Sequence, residues 1–186
     1  MRACARDAWK RWVHNVLAAR KLEIIVAATI VIVDQITKAM VRPALALHES
    51  VEVIPGFLDL TRVHNTGAAF GMLNAVAFPM KTLVLSVVAL IALGGVAWYA
   101  ATVPLADRLA RIGVAGVLGG AVGNLIDRAT QGYVLDFVDA YWGAWHFWAF
   151  NVADAAITVG VIFMILDMLG VGRRINGQAA NASNPV

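Results

Sequence analysis

Asn124, Asp127, Arg128, Asp136, Asp139, Asn151 and Asp154 all fall within one stretch, Gly119 to Ile157, with apolar helix-length runs on both sides. Ionisable groups held beside hydrocarbon are expensive and usually functional. Asp136 and Asp154 are the pair with the clearest chemistry. Two carboxylates brought together at a dry boundary make an acid–base couple that shares one proton. The plainer reading makes these aspartates loop and helix-cap residues, so the rest of the chain has to decide.

Other chemistries have less support. The serines are Ser50, Ser86 and Ser183. Ser86 lies within an apolar run, where a Ser–Lys pair with Lys38 or Lys81 is the one nucleophilic alternative. No His pair at i,i+4 encloses a Glu, and His48 and His64 lack a further ligand in register, so zinc chemistry is weakly supported. His146 belongs with the aromatic residues around it, and no metal or cofactor is called for. Cys4 is the single cysteine and sits in a basic tail far from every other polar group. Two carboxylates placed about a water, as in an aspartyl hydrolase, remain.

The elements that must position these groups are apolar. The chain has 186 residues, 60% hydrophobic and 15% charged, with a mean hydropathy of +0.72. Charge that scarce describes an integral membrane protein. A net charge of +3 does not indicate nucleic acid, because the basic residues do not cluster with aromatics on a polar domain. Four spans are expected, at about residues 22–41, 80–101, 111–128 and 150–171, each near the length that crosses roughly 30 Å of hydrocarbon. The first is retained and not a cleaved signal peptide, since its apolar run is too long and Asp34-Gln-Ile-Thr-Lys38 follows in place of a cleavage site. Residues 1–21 form a basic tail with a short interfacial helix around Trp9–Val16, and residues 172–186 a disordered polar tail. Between spans, VEVI (51–54) and FLDLTRV (57–63) alternate as short strands do, and 129–148 is an aromatic-rich outer loop. Gly116-x-x-x-Gly120 and Gly119-x-x-x-Gly123 permit close helix approach in lipid. Asp59 and Asp139 are read as solvated loop acids, and Glu23 and Asp167 as interface residues at the inner ends.

Ten of the fifteen Lys and Arg residues lie in the two tails and the 102–111 loop. Positive-inside bias then puts both termini in the cytoplasm and both long loops outside. Asp34, twelve residues beyond Leu22, stands about 18 Å along its helix, in the outer half. Asn124 and Asp127 close the third span as i,i+3 neighbours, Asp154 opens the fourth, and Asn65, Asp136 and Asn151 lie in or beside the outer loops. The alternating spans thus bring these polar side chains to one depth.

Five motifs in order and spacing, Asp34-Gln-Ile-Thr-Lys38, Asn65-Thr-Gly-Ala-Ala-Phe70, Gly123-Asn-Leu-Ile-Asp-Arg128, Val134-Leu-Asp-Phe137 and Phe150-Asn-Val-Ala-Asp154, resemble bacterial lipoprotein signal peptidase (signal peptidase II) over about residues 22–171. The resemblance implies an all-α integral membrane fold: four transmembrane helices with a small periplasmic β-cradle and an outer flap loop. It implies an aspartyl endopeptidase of the inner membrane, with no cofactor and its site near the periplasmic face. The enzyme would cut diacylglyceryl-modified prolipoproteins before the lipid-modified cysteine. Asp136 and Asp154 would be the catalytic dyad, with Asp34, Lys38, Asn65, Gly67, Asn124, Asp127, Arg128 and Asn151 shaping the site or binding substrate. Its partners would be prolipoproteins and membrane lipids, not nucleic acid, and it would act as a monomer. Asp34 and Lys38 are equally readable as a buried structural pair, and Arg128 as a headgroup anchor. Two rivals come from other classes: a small proton-coupled transporter, which would spread its acids across the membrane, and a non-catalytic lipid-binding factor, which would not need both aspartates.

Overall fold

The computed structural model describes residues 18–67, 76 and 80–171. Among the described residues the named elements run in the order α1 (Lys21–Ala44), β1 (Ser50–Ile54), β2 (Leu58–Asn65), α2 (Lys81–Thr102), α3 (Arg108–Gln131), β3 (Val134–Trp142), β4 (Trp145–His146), α4 (Val152–Met168). Helices α1, α2 and α3, at 24, 22 and 24 residues, are long and apolar enough to cross a membrane. Helix α4 has 17 residues, about 26 Å at the usual rise. It starts two residues later than the spacing predicts. Phe150 is held in a bridge to Val138 and Asn151 caps the helix by accepting from the Asp154 N–H at 2.9 Å, as N-cap side chains do. The ends of the other helices follow local chemistry as well. Gly132, at φ 79°, takes the left-handed conformation that stops α3, and its N–H returns to the Arg128 carbonyl at 3.1 Å, a conformation glycine adopts without steric cost.

Helix α3 is the axis of the bundle. Its buried positions include Gly113, Gly116, Gly119, Gly120 and Gly123, while α2 buries none. The glycine spacings work on two faces. A Cβ on Gly116 would stand 2.9 Å from the Ala156 carbonyl of α4, and one on Gly119 would stand 2.8 Å from the Ala27 carbonyl of α1. On the outside, Ile32, Ile91, Ile162 and Met168 are largely exposed. Helices apolar on their outer faces are at rest only against lipid. The protein is a multi-pass, mostly helical membrane protein carrying a small antiparallel sheet.

That sheet has the order β1-β2-β3-β4. Strands β1 and β2 fall where the alternation of VEVI and FLDLTRV puts them. β3 is a correction, because residues 129–148 read as loop. The reason is burial. Residues 134–137 are buried in succession, so VLDF shows no apolar/polar alternation. In register, Val63 lies opposite Asp136 and Asn65 opposite Val134. Leu135 and Phe137 pack with Val41 of α1, which seats the sheet at the end of the bundle where α1 finishes. The expected interfacial helix and the C-terminal tail lie outside the described residues.

Candidate active site

Three elements converge where β3 meets the C-terminal end of α3 and the N-terminal end of α4. β3 carries Asp136, which is almost fully buried. Asn151 Nδ2 donates to one of its carboxylate oxygens at 2.7 Å and Asn65 Nδ2 to the other at 2.9 Å. Asp154, in the first turn of α4, accepts from Asn124 Nδ2 at 2.8 Å. Asn151 Nδ2 also reaches Asn124 Oδ1 at 3.3 Å. The two carboxylates therefore hang from one pair of side-chain amides, Asn151 and Asn124. Burial, and then the neighbouring Asp154 carboxylate, push the Asp136 carboxyl up to about 7 against the pull of its amide donors. A carboxyl held near 7 beside a second carboxyl is the arrangement in which a pair shares one proton.

Beneath the amides lies an ionic layer. The Lys38 ammonium sits 2.9 Å from Asp34 Oδ2, 3.1 Å from Asp127 Oδ2 and 3.0 Å from Asn124 Oδ1. All of its three N–H donors are committed. Asp34 also accepts from the Ala153 N–H at 3.0 Å, and Asp127 from the Leu135 N–H at 3.0 Å. Asp34 and Lys38 thus form a buried ion pair that ties α1 to α3 and to the start of α4. The buried Lys38 ammonium is held by Asp34, Asp127 and Asn124 and not by Ser86, and Lys81 donates to Thr66 Oγ1 at 3.3 Å.

The last two members complete the outer rim. Gly67 N–H donates to Asn65 Oδ1 at 2.9 Å, and Arg128 Nη2 donates to the Gly67 carbonyl at 3.0 Å. Arg128 therefore ties the segment after β2 to α3 and is more than a headgroup anchor. All ten residues singled out from the sequence lie in one connected cluster. Gln35 was missed. It donates to Asp34, to the Gly123 carbonyl and, at 3.4 Å, to Asp127; its position inside the Asp34–Lys38 motif was the available signal. Glu23 is also a correction. It is buried and paired with Arg111 by two hydrogen bonds of 2.7 Å, so it is not a free interface residue. Asp59 and Asp139 are not loop acids but opposed strand residues, and Asp139 meets His146 Nδ1 at 2.9 Å.

Two apolar depressions border Asp154. One, about 270 Å³, runs between α2 and α4 along Ala92, Leu93 and Ile157 to Asn124. The other, about 480 Å³, lies on the far side of α4 against Phe147 and Trp148. The cluster can polarise a carbonyl and activate a water at the junction of two lipid-facing grooves.

Comparison with known proteins agrees with this geometry. Residues 26–170 match the family described as signal peptidase (SPase) II. The chain is 43% identical to the lipoprotein signal peptidase of Symbiobacterium thermophilum over 153 residues, covering 82% of this chain and 97% of that one. It is also 43% identical to the lipoprotein signal peptidase of Syntrophus aciditrophicus over 148 residues, 80% and 92% of the two chains. Among solved structures, a bacterial membrane enzyme determined by the in meso method superposes with a TM-score of 0.68 at 33% identity, over 81% of this chain and 88% of that one. With the family matched across both aspartates and every helix of the bundle, the chain belongs to the signal peptidase II family of membrane proteases.

Proposed function

We propose that the protein removes signal peptides from diacylglyceryl-modified prolipoproteins, cutting before the lipid-modified cysteine, with Asp136 and Asp154 as its catalytic dyad. The observation that carries this reading is the suspension of both carboxylates from the Asn151–Asn124 amide pair at the meeting of two apolar grooves. Asp136 is raised to about 7 by burial and by Asp154, so the pair holds one shared proton, and the protonated carboxyl polarises the scissile carbonyl. The ionised carboxyl takes a proton from the attacking water, and the roles reverse as the amine leaves. The tetrahedral intermediate collapses with that proton delivered to the departing nitrogen, so the dyad returns to its starting state. Grooves on either side of Asp154 suit a substrate with two apolar parts, a signal helix and a pair of acyl chains. Binding energy from those remote parts orients the scissile bond.

The domain extends over about residues 22–171, with four spans, both termini cytoplasmic and the dyad near the outer, periplasmic face of the inner membrane. It acts as a monomer. The test is cleavage of a diacylated prolipoprotein peptide by purified protein. Asp136→Asn and Asp154→Asn are each expected to insert normally and lose at least roughly 10²–10⁴-fold in rate. A variant retaining more than about a tenth of the wild-type rate would remove that residue from the dyad.

A further inference from the structure

A second charged cluster lies at the end of the bundle opposite the dyad, and cleavage does not use it. Arg111 grips Glu23 in a two-pronged ion pair through Nε and Nη2, both at 2.7 Å, and Arg20 Nη1 reaches the same carboxylate at 3.0 Å. Arg20 Nη2 also donates to the Ala101 carbonyl at 3.2 Å and the Val103 carbonyl at 2.9 Å, at the end of α2. Two guanidiniums against one carboxylate leave one positive charge over. Of the five N–H donors on Arg20, these three bonds leave two without a partner among the described residues. Arg111 spends four of its own on Glu23, Leu105 and Ala19. The excess charge therefore belongs to Arg20, whose side chain is 23% exposed.

Arg20 and Glu23 form one end of a cavity of about 560 Å³ between α1, α2 and α3. The rest of its wall is apolar: Ala97, Ala100, Leu105 and Leu118. That size is within the range of small-molecule sites, roughly 300–1,000 Å³. An apolar slot in the surface of a membrane bundle, closed at one end by a cluster of net positive charge, matches one class of molecule in charge and polarity. Lys21 and Arg108, exposed in the first turns of α1 and α3, add two positive charges at the same level against one negative charge from Asp107, the N-cap of α3. A basic site between helices at this depth recognises an anionic headgroup, and the alanine-lined slot takes a chain.

We propose that this cavity binds an anionic phospholipid, its phosphate on Arg20 and an acyl chain along Ala97 and Leu118, and that the lipid splints α1, α2 and α3 at the end distant from the dyad. The inference depends on the membrane embedding and on no step of peptide cleavage.

The test uses the full chain, purified in detergent and stripped of lipid, then titrated with phosphatidylglycerol or phosphatidylcholine. Native mass spectrometry reads bound lipid and thermal unfolding reads Tm. Phosphatidylglycerol is expected to bind about tenfold more tightly than phosphatidylcholine and to raise Tm. Ala97→Phe, which fills the slot from an exposed wall position, should abolish both effects while leaving the lipid-free Tm unchanged. Arg20→Gln should remove the preference for the anionic lipid. Inorganic phosphate alone should not raise Tm. Equal binding of the two lipids, wild-type phosphatidylglycerol binding by Ala97→Phe, or an equal Tm rise with phosphate alone would each overturn the proposal. Repeating the titration in an Asp136→Asn/Asp154→Asn background separates the two readings, since lipid binding is expected to persist there whether or not the wild-type chain cleaves.

Discussion

Asp136 and Lys38 are both buried ionisable residues, and they play opposite parts. Asp136 is raised to about 7 by burial first and the Asp154 carboxylate second, with Asn65 and Asn151 pulling it down. In the proposed mechanism the pair needs one shared proton, which it keeps below that value and loses as pH rises through it. The alkaline limb of kcat/KM is therefore expected near pH 7. Asn65→Ala removes a donor that favours the carboxylate form, so the limb should move to higher pH; a pH–rate profile that stayed put or moved down would contradict the assignment. We propose that Lys38 is structural. Lys38→Met would leave Asp34 and Asp127, each less than 2% exposed, buried without their cation. Removing one partner of a buried ion pair costs about 3–5 kcal/mol, so unfolding of this variant should be far easier by thermal or denaturant titration, and Asp34→Asn added to it should recover part of the loss. The types and positions of all these residues were legible in the motifs. Their division into proton-bearing and structural groups was not, because it depends on which side chain spends its donors where. Lys38 spends all of its own on Asp34, Asp127 and Asn124, and no spacing rule states that.

Helix α3 presents glycines to both of its neighbours, and this was legible from the two overlapping small-residue spacings. A Cβ on Gly123 would fall 2.6 Å from Asp34 Oδ2, and one on Gly120 would meet the Ala153 carbonyl. Gly120→Ala and Gly123→Ala must push α4 or the Asp34 carboxylate aside, and overpacking of this kind costs about 1–3 kcal/mol. Gly94 and Gly95 of α2 are the control. An added Cβ there meets nothing within 4 Å, and alanine in a helix interior gains roughly 0.5–1 kcal/mol over glycine. Thermal unfolding of the four single variants should separate into two destabilised and two neutral or stabilised proteins. An equal effect at all four sites would mean that α3 is not the packing axis. β3 was the element that could not be read. It is buried against α1 on one side while it offers Asp136 to the site on the other. Four successive buried residues erase the alternation on which strand reading depends, whereas β2 keeps enough polar positions to show it.

At the scale of the whole molecule, the bundle separates its two charged clusters to opposite ends. Asp34, Asn124, Asp127, Asp136 and Asp154 gather where the sheet sits, and Arg20, Glu23 and Arg111 gather at the other end. The even depth of the first group was legible from alternating spans. The second was not, because Glu23 and Arg111 are 88 residues apart and each looks like an ordinary span-end charge. In the proposed orientation the end carrying the tails and the 102–111 loop, with ten of the fifteen basic residues, faces the cytoplasm. Glu49, Gly143 and Ala106 are all exposed, the first two at the sheet end and the third in the turn between α2 and α3. Single cysteines at Glu49 and Gly143, in a Cys4→Ala background, are expected to react with an impermeant maleimide added to intact spheroplasts. A cysteine at Ala106 should react only after the membrane is opened. The reverse pattern would put the dyad on the cytoplasmic side, where the cleavage site of an exported prolipoprotein is not presented, and the assignment of substrate would fall while the geometry of the site stood.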